Sequence, residues 1–291
     1  MLRGSIVALV TPMLEDGSLD LPALQRLIDW HVTQGTDGIV IAGTTGEAPT
    51  LSTSEQLTLI SHAVGAAAGR VPVVAGTGSN STRETVELTR EAARLGVEAA
   101  LLVVPYYNKP TQEGLYRHFA QIARSIELPQ ILYNVPGRTI TDLEPETICR
   151  LAKIPGIVGI KEASGDLARV ALLREGTRPD FLLLSGDDPS ACEFMLAGGD
   201  GVISVTANAA PAAMHALCEA ALSGHAEEAE TLDKALVALH EGLFFESNPI
   251  PVKWALHRMG QIGPDLRLPL TPLSDKYHSK LDAILNEAGL L

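Results

Sequence analysis

Eight short apolar runs dominate the N-terminal part of the chain: SIVALV (5–10), GIVIAG (38–43), VPVVAG (71–76), AALLVV (99–104), PQILYN (129–134), GIVGIK (156–161), FLLLSG (181–186) and DGVISV (200–205). They recur every ~20–35 residues, the length of one strand-helix unit. Runs that are almost wholly hydrophobic are buried on both faces, which is the mark of a parallel sheet covered by helices.

Helix signals fill the intervals. Ser52 with Glu55, and Ser81 with Glu84, have the spacing of capping boxes. Gly96 suits a helix C-terminus, and Asp188 before Pro189 reads as an N-cap followed by a first-turn proline. Eight such units close a (β/α)8 TIM barrel. An open doubly wound sheet is the alternative, but no GxGxxG follows the first strand. From about Pro211 the strand pattern stops and helical patterns continue to the end. We therefore expect a barrel over residues 1–224 and a C-terminal helical appendage over 225–291.

A net charge of −13 disfavours nucleic acid and anionic membranes as partners. No run reaches the ~20 apolar residues that cross a bilayer. The N-terminal MLRGSIVALVTPMLEDG has one arginine, and its apolar stretch ends at Pro12 and acids, so no signal peptide is expected. Cys149, Cys192 and Cys218 are far apart with no CxxC, and the histidines form no HExxH. These features lead us to expect reduced thiols, a cytoplasmic protein and no metal site.

In such a barrel, chemistry sits where strands end and the following loops begin. Lys161 ends the sixth run. Alternation along a strand puts Ile157, Gly159 and Lys161 on one face and Val158, Ile160 and Glu162 on the other. If the second set faces the helices, Lys161 points into the barrel mouth, with room above Gly159. Desolvation there disfavours the charged ammonium, and a neutral amine can form a Schiff base with a carbonyl substrate. Tyr133 ends the neighbouring strand and could move protons. Arg138 in PGRT could grip a carboxylate, and Thr44 and Thr45 in GTTGE offer hydroxyls. Taken singly, each has a plainer reading: a lysine reaching out to solvent, a core tyrosine, a surface ion pair, turn chemistry.

Taken together, GTTGE (43–47), AGTGSNST (75–82), PYYNKPTQEGLYRHF (105–119), YNVPGRT (133–139), GIKEASGD (159–166) and SGDD (185–188) resemble the dihydrodipicolinate synthase family over nearly the whole chain. The resemblance implies a lyase without a cofactor, in which Lys161 forms an imine with pyruvate. The derived enamine would attack L-aspartate 4-semialdehyde, and cyclisation would release 4-hydroxy-tetrahydrodipicolinate, a step of diaminopimelate and lysine biosynthesis. It implies a proton relay of Thr44, Tyr107 and Tyr133, with Tyr107 lent by a neighbouring subunit of a homotetramer. Thr45 would hold the pyruvate carboxylate and Arg138 that of the semialdehyde, while the backbone at Gly186 and Ile203 would line the pocket. Asn80, Glu84 and Tyr106 match a cleft in which many relatives bind inhibitory lysine. Ala48, Pro49, Thr53 and Gln56 depart from that pattern, so weak or absent lysine inhibition is expected.

Two other readings compete: another pyruvate-dependent aldolase of the same superfamily, such as a sialic acid or keto-deoxy-sugar-acid lyase, and a non-catalytic barrel that binds a keto acid. The first has no evident need of an arginine placed like Arg138. The second has no need of the lysine, tyrosine, threonine and arginine together.

Overall fold

The computed structural model describes residues 2–291. Eight parallel strands, β1 (Gly4–Ala8), β2 (Gly38–Ile41), β3 (Val73–Gly76), β4 (Ala99–Val103), β5 (Gln130–Asn134), β6 (Ile157–Glu162), β7 (Leu182–Ser185) and β8 (Gly201–Ser204), pair in chain order and close into a barrel. The closing pair matches Ile6 with Ile203. All eight apolar runs of the sequence are therefore strands of one barrel.

The helices are α1 (Leu21–Thr33), α2 (Thr53–Ala67), α3 (Thr82–Arg94), α4 (Gln112–Ser125), α5 (Pro136–Thr139), α6 (Pro145–Leu151), α7 (Ala168–Gly176), α8 (Ala191–Leu196), α9 (Pro211–Leu222), α10 (Ala226–Gly242), α11 (Ile250–Arg258) and α12 (Asp275–Glu287). Alternation sorts the strand residues. Ile6, Val40, Val74, Leu101, Ile131, Leu184 and Ile203 pack with one another inside the barrel. Val7, Ile39, Ile41, Leu102, Leu132, Ile160 and Leu183 join the helices in a second, larger core outside it.

The capping signals hold unevenly. Ser52 and Glu55 form a complete capping box at the start of α2. At α3 only half forms: Ser81 accepts from the Glu84 N–H, but the Glu84 carboxylate turns to the Ser79 hydroxyl instead. Asp188 does not cap a helix. It accepts from Ser204 Oγ and from the N–H groups of Val205 (2.8 Å) and Thr206 (3.1 Å), and α8 starts later, behind Ser190. The carboxylate thus ties the β7 loop to the end of β8.

The expected facing of β6 fails in its first half. Gln130 pairs with Ile157 while Ile131 pairs with Gly159, so Val158 is an extra residue, a bulge. Ile157 accordingly lies in the outer core and Val158 packs against the inner one. Alternation resumes at Gly159, and Lys161 points inward after all. Gly159 does not make its room: a β-carbon there would meet Leu182 of β7, at 2.6 Å from its Cβ. The space for Lys161 comes from Gly186, where a β-carbon would lie 2.8 Å from the lysine Cε.

Candidate active site

The mouth of the barrel, at the C-terminal ends of the strands, opens into a cavity of about 720 Å³. Thr44, Thr45, Tyr133, Arg138, Lys161 and Gly186 all line it. Tyr133 and Lys161 are register partners across β5 and β6. Their side chains meet inside the barrel, with Lys161 Nζ 4.3 Å from the centroid of the tyrosine ring. Lys161 is only 5% exposed, so its amine is almost wholly withdrawn from water while still facing the cavity.

The outward faces of the same strand ends are locked. Asn134 donates to Asp142 Oδ1 (2.8 Å) and to Glu162 (3.2 Å), and its own oxygen accepts from the Leu143 N–H. Arg169 bridges Asp142 and Glu162 from α7, and Glu162 also accepts from the Ser164 N–H. Burial opposes ionisation of Asp142, but the bonds from Arg169 and Asn134 outweigh it and hold its carboxyl below the usual range. In YN and KE, then, the first residue of each pair faces the cavity and the second fastens the strand to the shell.

A second buried lysine was not singled out by the sequence. Lys253 of α11 has no exposed surface; its Nζ contacts Glu47 Oε1 at 2.6 Å and the Thr11 carbonyl at 3.0 Å. Burial lowers its pKa below the ordinary lysine value, against the pull of Glu47. A carboxylate engages this amine, whereas Lys161 lies against an aromatic ring in a cavity. Asn248, just before α11, was also missed. Its Nδ2 donates to Thr45 Oγ1 at 2.9 Å, and its carbonyl accepts from Arg138 Nη2 at 3.1 Å. The signal existed: Lys253 interrupts an apolar helical stretch as Lys161 ends an apolar strand. The segment between α10 and α11 therefore reaches the mouth, where Phe244 and Asn248 line the cavity.

Other expected residues lie elsewhere. Ile203 belongs to the interior packing of the barrel, not to the cavity lining. Tyr107 is 89% exposed, on a loop where it adopts φ +73°, and does not line its own chain's cavity. Glu84 and Tyr106 line the same cavity, together with Ala48, Pro49, Thr53 and Gln56. Asn80 stands beside it, donating to the Tyr106 carbonyl at 3.2 Å.

Residues 1–288 match the family model described as the dihydrodipicolinate synthetase family. This chain belongs to that family. Its relatives include a protein of Azoarcus sp. strain BH72 named 4-hydroxy-tetrahydrodipicolinate synthase, 57% identical over 100% of this chain and 99% of the relative. Another with the same name, from Alcanivorax borkumensis, is 58% identical over 100% of this chain and 99% of its own. Among solved structures, the chloride-inhibited dihydrodipicolinate synthase of Acinetobacter baumannii, complexed with pyruvate, superposes with a TM-score of 0.99. It is 54% identical, with full coverage of both chains. The dihydrodipicolinate synthetase fold is thus the fold of this chain from end to end.

Proposed function

We propose that this protein is a 4-hydroxy-tetrahydrodipicolinate synthase, a lyase that condenses pyruvate with L-aspartate 4-semialdehyde through a Schiff base on Lys161. The observation that carries the reading is the buried Lys161 amine, set against the Tyr133 ring in a cavity that Thr45 and Arg138 also line. Full-length relatives at 57–58% identity bear the same name.

In this mechanism the Lys161 amine adds to the pyruvate ketone, and the carbinolamine loses water to give the imine. Loss of a methyl proton gives the enamine, whose terminal carbon attacks the semialdehyde's carbonyl carbon. The substrate's own amine then attacks the imine carbon and displaces Lys161, closing the ring. Nucleophile and leaving group are the same amine, so no metal or cofactor is called for. Tyr133 and Thr44 border this path and carry the protons of imine formation and release. Thr45 and Arg138 receive the carboxylates of the two substrates, the guanidinium supplying a planar pair of donors. Arg138 favours an acidic aldehyde over a neutral sugar, which separates this reading from the sugar-acid lyases.

The exposed Tyr107 fits a role outside its own chain: completing the relay in a second copy within a homotetramer built as a dimer of dimers. The widely spaced thiols fit a cytoplasmic setting for lysine and diaminopimelate biosynthesis. Borohydride reduction with pyruvate tests the assignment. A mass adduct on the peptide carrying Lys161, together with turnover of pyruvate and semialdehyde that disappears in Lys161→Ala, is the expected result. An adduct on another lysine, or none, refutes it.

A further inference from the structure

Asn248 joins two of the groups that the proposed reaction uses, Thr45 through its side chain and Arg138 through its carbonyl. Five residues on, Lys253 closes a buried ion pair with Glu47, a partner 206 positions away in sequence. Glu47 ends the loop that carries Thr44 and Thr45. It holds φ +57°, in the left-handed region that a glutamate occupies only where its surroundings constrain it. The constraints are visible: Lys253 on one carboxylate oxygen, the Arg267 N–H on the other (3.1 Å), and Thr11 Oγ1 on the adjacent Gly46 carbonyl (2.7 Å).

Burying two charges costs desolvation, and apolar residues of similar volume often serve stability as well or better. Such a pair can instead fix a location, because separating the two charges would leave each one buried and uncompensated. Here the location concerns the substrate carboxylates. A shift of the loop after β2 relative to α11 would pull Thr45 from Asn248 and Asn248 from Arg138 together.

We propose that Lys253 and Glu47 are positioning residues that fix the loop after β2 against α11, so that Thr45, Asn248 and Arg138 act as one linked set for the two substrate carboxylates. This rests on the reading of Thr45 and Arg138 as carboxylate-binding groups. The C-terminal helices are then part of the active site, although neither Lys253 nor Glu47 touches substrate.

The test is the double variant Glu47→Gln/Lys253→Met, which removes both charges at nearly constant volume. The expected result is a KM for each substrate raised about tenfold or more with kcat changed only a few-fold, while borohydride at saturating pyruvate still labels Lys161. A folded double variant with both KM values unchanged overturns the proposal. Should it fail to fold, Asn248→Ala replaces it, leaving the ion pair intact. That variant should raise the pyruvate KM through Thr45 and spare the semialdehyde KM, because the backbone carbonyl still meets Arg138. Two unchanged KM values there overturn the linked set. Absence of a Lys161 adduct in the unmodified protein refutes the catalytic reading itself; an adduct with unchanged KM values refutes only the positioning role.

Discussion

Gly186 leaves Lys161 the space it occupies: a β-carbon at position 186 would sit 2.8 Å from the lysine Cε and 2.6 Å from the Ala163 Cβ. Both contacts are closer than carbon atoms tolerate, and the strand ends around them are fastened by hydrogen bonds. The Lys161 side chain, which would otherwise sample many rotamers, is held by shape.

Gly186→Ala should therefore displace the amine without unfolding the barrel. Overpacking of this kind costs about 1–3 kcal/mol, equivalent to roughly 5- to 160-fold in kcat/KM if it falls on the Lys161 amine. Steady-state kinetics beside the rate of borohydride labelling reads it. A variant with wild-type labelling would show that Lys161 does not depend on Gly186.

Arg169→Met should destabilise the protein while sparing the cavity lining. It strands the buried Glu162, whose side chain is 2% exposed, and removes the bridge to Asp142. Breaking a fully buried pair costs about 3–5 kcal/mol; with Asp142 a third exposed we expect ~2–4 kcal/mol. Urea unfolding measures it. A loss confined to activity, with stability intact, would contradict the structural role assigned to this network.

Acid should weaken the fold below pH 6.5 through two buried histidines. Burial pushes His31 down to about 3 and His118 down to about 4 from an ordinary value of 6.5. Each is neutral in the fold, and its Nδ1 meets a threonine hydroxyl, Thr36 and Thr82 respectively. Below pH 6.5 the unfolded chain binds protons that the folded one refuses. Their contribution is therefore complete above pH 6.5 and is lost as pH falls towards 4 and then 3. Near pH 5 the two together give a slope of about 2–3 kcal/mol per pH unit. Denaturant unfolding across pH 4–7 should show it, and His118→Gln should remove about half.

L-lysine should inhibit weakly or not at all. Ala48, Pro49, Thr53 and Gln56 line the cavity along with Glu84, and the Gln56 amide is turned back onto the Ala48 carbonyl at 3.1 Å. Half-inhibition should require more than roughly 1 mM lysine, a binding free energy weaker than about −4 kcal/mol. A dose-response curve at saturating pyruvate decides it, and tight inhibition would mean that Glu84 and Tyr106 suffice.

The strands were legible because a strand buried on both faces needs an unbroken apolar run, and each run ends near the residue that lines the mouth. Lys161 and Tyr133 could be placed together because adjacent parallel strands set their ends side by side. The bulge at Val158 could not be read, since it changes the backbone without changing the apolar character of GIVGI. Asp188 misled because an Asp-Pro pair marks a helix start only where the carboxylate is not already taken, and here the end of β8 takes it. Asn248 and Lys253 escaped because their partners, Thr45 and Glu47, are about two hundred positions away; nothing local reveals such a pairing except a charge in an apolar stretch. Tyr107 is exposed in its own chain, so its role depends on what lies beyond it.

Lys253 meets the carbonyl of Thr11, so α11, which follows the last strand, is fastened directly to the loop that follows the first. A ribosome making this chain has emitted all eight strands well before it reaches the helix that braces the loop after the second of them. On the proposed reading, a nascent barrel could close and still fail to hold its substrates until α11 has been added.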